Sequence, residues 1–201
     1  MRTIEPETSS DSGSRAPKVP GEPGIWVFIF GDLLLFGYVF GVFLVNRAHD
    51  PGVFIESQRS LNVHVGVLYT LLLLTSSLFI VRAMSFIRAG DAVRAPAYVL
   101  LAIACGAAFA VIKVVEYSGK VSSGITLKTN NFYLFYFFMT GLHLGHVLLG
   151  LVALGVLWRF ASRAGTPDFG NKMRYAEGFA CFWHMVDQLW LVIFPLLYLL
   201  H

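Results

Sequence analysis

Seven ionisable side chains fall inside long apolar stretches of this 201-residue chain: Asp32, Lys113, Glu116, His143, His146, His184 and Asp187. A charge in hydrocarbon is costly, so each of these needs a partner, a cavity or a function. Spacing divides them. His143 and His146 are three residues apart and share a helix face, as do His184 and Asp187. Such a set can do three things. Imidazole and carboxylate can hydrogen-bond across helices and lock a bundle, at about 0.6–2 kcal/mol per bond. A buried carboxylate, Asp32 above all, can take up and release a proton. His143, His146, His184 and Asp187 could also supply four ligands to a metal or haem.

Structural bonding is the simplest of the three. The ligand reading rests on ligand count alone, and its four candidates include no cysteine. No nucleophile with an adjacent base, phosphate-cradling loop or dinucleotide fingerprint is present, so the chain offers no self-contained catalytic site. Glu116, next to Tyr117, is expected near a membrane–water boundary, where a long side chain can snorkel to water.

The elements that must position these groups follow from composition. The chain is 56% hydrophobic, 15% aromatic and 13% charged, with a mean hydropathy of +0.67. A water-soluble domain carries about twice that share of charge. Five apolar runs, at 25–45, 65–81, 95–115, 132–158 and 178–200, are each near the roughly 20 residues that cross a bilayer core. The expected fold is all-α, a polytopic membrane bundle of five transmembrane helices over residues 24–201. Residues 1–23, rich in Ser, Pro, Glu and Gly, read as a disordered cytoplasmic tail rather than a secretory signal. Connections are too short for a soluble domain.

Lys and Arg set the orientation. Ten of them (Arg2, Arg15, Lys18, Arg82, Arg88, Arg94, Arg159, Arg163, Lys172 and Arg174) fall on one side of the expected topology. Four, namely Arg47, Arg59, Lys120 and Lys128, fall on the other. The bias places the N-terminus in the cytoplasm and His201 outside. It also accounts for the net charge of +3 without nucleic acid, since no basic cluster is interleaved with stacking aromatics.

Depth then tells which groups can meet. At about 1.5 Å per residue, Asp32 lies about 10 Å into the first span, and His184 and Asp187 about 9 and 14 Å into the fifth, from the same side. His146 is near mid-depth in the fourth. Asp32, His146, His184 and Asp187 can therefore share a level, and all four are expected to face the interior or a partner rather than lipid. Gly141 and Gly145 form a small-xxx-small pair, and core packing is expected to explain them with Gly150 and Gly155. Pro195 is expected to kink or loosen the last turns of the fifth span. Cys105 and Cys181 lie in apolar runs and read as small hydrophobes.

These residues resemble a family. Gly141-Leu-His143-Leu-Gly-His146 looks like the Gly-x-His-x-x-His motif of cytochrome c oxidase subunit III. Trp183-His184-Met-Val-Asp187-Gln-Leu-Trp190 looks like that family's Trp-His-x-x-Asp-x-x-Trp signature. Gly178-Phe179 and Glu116-Tyr117 match in order, and Asp32 stands where the family carries a membrane-embedded Glu. The resemblance runs from Gly24 to the C-terminus and is to the five-helix form, which lacks the first two helices of the longer seven-helix form.

The resemblance implies a non-catalytic subunit in a bacterial inner membrane, packed against a haem-copper catalytic subunit I. Haem and copper or iron belong to that partner; this chain would bind none of them, and would contact membrane lipids, with phospholipid in its cleft. Its role would be to support activity, assembly or proton uptake in aerobic electron transport or denitrification. The stretch Glu56-Ser57-Gln58 through Leu61-Asn62, with Leu71 to Leu78, resembles the branch that accompanies nitric oxide reductase more than it resembles the oxidase subunit itself. Two alternatives stand beside this: a membrane enzyme binding haem or metal through His143, His146, His184 and Asp187, and a proton conductor built around Asp32.

Overall fold

The computed structural model describes residues 23–166 and 173–200. The expected N-terminal tail, together with Lys172 and His201, lies outside the described residues. Within them the chain is helical and has no strands. The helices are α1 (Pro23–His49), α2 (Pro51–Arg59), α3 (Val63–Arg88), α4 (Arg94–Ser122), α5 (Asn131–Ala161) and α6 (Met173–Phe194), with a wider π-type turn at Pro195–Leu199. Five of them are long and apolar enough to cross a membrane. The second span is longer than the apolar run of 65–81 that marked it. It runs on through Arg82, Ser85 and Arg88.

One element escapes the apolar-run reading. α2 is only 9 residues long and is amphipathic, with Phe54, Ser57 and Gln58 buried and Glu56 and Arg59 exposed. Asp50-Pro51 announces it, because proline is well suited to the first helical position.

Helices α3, α4, α5 and α6 pack as one bundle, and α1 lies against α5 and α6 from outside. The core is aromatic. Phe109, Tyr69 and Trp190 meet edge-to-face with centroids 5.0–5.5 Å apart. Trp183 drives its indole into the space left by two glycines: a Cβ on Gly106 would lie 2.7 Å from it, and one on Gly150 2.6 Å. Gly66 makes room for Phe194 and Gly178 for Ile25 in the same way. The expectation for α5 is thus corrected. Gly150 is the one whose missing side chain lets a core ring in, while Gly145 and Gly155 face open space and Gly141 meets only the Tyr117 hydroxyl, at 3.9 Å.

The ends are tied by polar contacts. Asp91 accepts from the backbone N–H groups of Val93 and Arg94, which cap α4, and the Arg94 N–H foremost holds its carboxyl below the usual carboxylate range. Gly90 and Gly165 both have positive φ, and their two turns touch. At the opposite end, Pro195 ends regular α-helix, and the carbonyls of Leu196 and Leu197 accept from the buried Gln58 amide at 3.1 and 3.2 Å. Arg47 spans Gln58 and the Leu200 carbonyl. The start of the chain's helical region is thereby fastened to its finish.

Candidate functional site

Asp32 of α1 and His146 of α5 form a buried pair, Oδ1 to Nε2 at 3.0 Å, with 6% and 8% of their surfaces exposed. The other ring nitrogen, Nδ1, lies 2.8 Å from the Leu142 carbonyl. A carbonyl only accepts, so Nδ1 carries a hydrogen and donates it. Nε2 of a neutral ring is then bare, and a bare nitrogen cannot face a carboxylate oxygen at that distance without a proton between them. The pair therefore holds one proton, on Asp32 or on His146. Phe36 packs edge-on against the imidazole, and Oδ2 of Asp32 has no hydrogen-bond partner.

His143, one turn earlier on α5, is fully buried and turns to the opposite neighbours. Its ring lies 5.7 Å from Phe109 and 5.3 Å from Trp190, and neither nitrogen has a hydrogen-bond partner among the described residues. His184 of α6 shares a hydrogen bond of 2.7 Å with Ser77 of α3 through Nδ1, and that nitrogen is 3.9 Å from Asp187 Oδ2. Asp187 is buried, with both oxygens lacking a hydrogen-bond partner among the described residues.

The structure thus brings Asp32 to His146 and His184 to Asp187, and it sends His143 into the aromatic core. Asp32, His146 and Asp187 face inward, while His184 is half-buried at the α3–α6 seam. Among the described residues no three His, Cys, Asp or Glu side chains gather as a metal-binding group. The two rings of the His-x-x-His pair are turned to different helices, His143 to Phe109 of α4 and Trp190 of α6, His146 to Asp32 of α1. Cys105 and Cys181 are free thiols, each half-buried.

Glu116 departs most from expectation. It does not reach for water. Its carboxylate accepts from Lys113 Nζ at 2.9 Å, from Tyr69 at 2.9 Å and from Tyr136 at 2.7 Å, with Tyr198 at 3.5 Å. Lys113 is fully buried, and four rings surround its ammonium, those of Tyr69, Tyr117, Tyr136 and Trp190, at 4.9–5.6 Å. A buried cation so placed is held by its counter-charge and by the negative faces of the rings. The i,i+3 spacing of Lys113 and Glu116 was the available signal; the ring of tyrosines, drawn from α3, α5 and the final turn, has none in the sequence.

Comparison with known proteins places this arrangement. The family model for cytochrome c oxidase subunit III matches residues 20–201. The chain belongs to that family. It is similar to quinol oxidase subunit 3 of Bacillus subtilis, 27% identical over 178 residues that cover 88% of this chain and 85% of the relative. It is 32% identical to cytochrome c oxidase subunit 3 of Thermostichus vulcanus over 182 residues, covering 88% and 86%. Against cytochrome c oxidase subunit 3 of Corynebacterium diphtheriae the identity is 29% over 178 residues, covering 87% and 85%. The chain spans most of the length of each of these oxidase subunits.

Proposed function

We propose that this chain is a non-catalytic subunit of a haem-copper respiratory oxidase, bound in the membrane to the catalytic subunit that carries the metals. The observation that carries the reading is the family match over nearly the whole chain, and the similar oxidase subunits of quinol and cytochrome c oxidases support it. Its setting is a bacterial inner membrane, N-terminus in the cytoplasm, with phospholipid and the catalytic subunit as neighbours.

Within that role the Asp32–His146 pair is the part equipped to handle protons. It holds one proton away from water, between two helices, and it can pass that proton only when one side chain moves. Support of proton uptake by the catalytic partner is the work this geometry suits. A partner that reduces nitric oxide is the second reading, supported by the stretch from Glu56 to Leu78. In that stretch Ser57 and Gln58 already have a structural task, holding Asn130 and the final turn.

The test is recovery of the tagged chain from its native membrane in mild detergent, followed by a haem spectrum and mass spectrometry. A co-purifying haem-copper catalytic subunit is the expected result, and its identity decides between oxygen and nitric oxide. A chain recovered alone and colourless would remove the accessory role. One recovered alone but showing a Soret band would return the assignment to the histidines.

A further inference from the structure

Gln188 sits on α6 one turn beyond His184, fifteen residues into a helical stretch of 27 from Met173 to Leu199, and so close to its middle. It is exposed, and its amide makes no hydrogen bond among the described residues. Lipid tails cannot satisfy an amide, and an unsatisfied one at the bilayer centre is costly. His184 beside it is half-buried, bonded to Ser77.

The rest of the midplane is unlike this edge. Within five residues of their midpoints, α4 and α5 expose no hydroxyl, amide or charged side chain; α1 exposes Tyr38 and α3 exposes Thr75. A threonine hydroxyl in a helix has a carbonyl of its own preceding turn within reach, so Thr75 needs no outside partner. Tyr38 is 73% exposed on α1, the helix beside α6. The polar demand at mid-depth therefore lies on the side of the bundle where α1, α6 and α3 meet the surroundings.

α6 has α3 on one side and α1 on the other, and the seam between them leaves Gln188 exposed. The subunit role proposed above supplies the occupant, because a membrane partner brings transmembrane helices of its own.

We infer that the seam of α6 between α1 and α3 receives a transmembrane helix of another chain, which presents a hydroxyl, amide or carboxyl group to Gln188 near the bilayer midplane. This deepens the subunit role proposed above and rests on it.

The test places a benzophenone amino acid at position 188 of the full-length chain in its native membrane, with controls at Val111 on α4 and Leu148 on α5. The expected result is an adduct from position 188 with a mid-membrane peptide of the co-purifying haem-bearing chain, and lipid adducts from both controls. Gln188→Leu, which keeps the bundle's own hydrogen bonds, is expected to lower retention of that partner roughly 3- to 30-fold, the range of one interhelical hydrogen bond. If the haem protein co-purifies but position 188 labels only lipid and Gln188→Leu retains it fully, the seam is overturned and the subunit role stands. An adduct of twice the chain's mass would overturn it in favour of self-association. Lipid adducts alone, with no haem protein recovered by the unsubstituted chain, would overturn both.

Discussion

His146 meets Asp32 with one ring nitrogen while the other is committed to the Leu142 carbonyl, so their 3.0 Å contact contains a proton. Substitution separates the hydrogen bond from the labile proton. In Asp32→Asn the amide N–H can donate to the bare Nε2, so the contact survives without a proton to exchange. That variant is expected to keep its melting temperature in detergent within a few degrees, while slowing proton uptake by the partner enzyme. Asp32→Leu leaves Nε2 unpaired and is expected to cost about 1–3 kcal/mol. Unchanged uptake in Asp32→Asn would remove the proton role from this pair.

The caged lysine invites a double-mutant cycle. Glu116→Gln leaves Lys113 charged and buried without its counter-ion, and is expected to destabilise the bundle by about 3–5 kcal/mol. Adding Lys113→Met should restore a large part of the loss, because the demand for a counter-ion goes with the charge. If Lys113→Met alone shifts stability by the same amount as it does in the Glu116→Gln background, measured by thermal unfolding, the pair is not coupled.

The glycines of α5 give opposite expectations a turn and a half apart. Gly150→Ala must displace the Trp183 ring, 2.6 Å from the added carbon, and should cost about 1–3 kcal/mol. Gly145→Ala adds a methyl to open space and should be neutral or stabilising, by up to about 1 kcal/mol through helix propensity. Thermal melts of the two variants side by side decide it.

Gln58 is expected to matter for a region far from it in sequence. Gln58→Leu strips the carbonyls of Leu196 and Leu197 of their donor, and hydrogen exchange over 195–200 should speed up while that of α4 and α5 stays as it is. No change in the final turn would mean that the turn holds itself.

Some of this was open to reading from the residues alone, and the reason differs from case to case. The spans follow from hydropathy, since no other fold hides five such runs. Asp32 and His146 could be paired because depth is a one-dimensional quantity, computed from rise per residue without any knowledge of packing. Rotation about each helix axis is not so available. Depth alone let His184 and Asp187 join Asp32, whereas rotation sends them to the α3 seam. Glu116 shows the same gap from the other side: its height near the boundary suggested water, but its azimuth points at three tyrosines. α2 was missed because a half-polar nine-residue helix makes no apolar run, though Asp50-Pro51 marked its start.

The clasp of Arg47 and Gln58 on the carbonyls of Leu196, Leu197 and Leu200 also fixes an order of events during biosynthesis. α1 and α2 emerge from the ribosome long before the groups that complete them, so they wait in the membrane with donors unspent. Only when α6 and the turn after it have been translated can the loop be closed. A nascent chain arrested before Pro195 would therefore hold all five spans and still lack the fastening between its ends, a distinction that quality-control proteases could read.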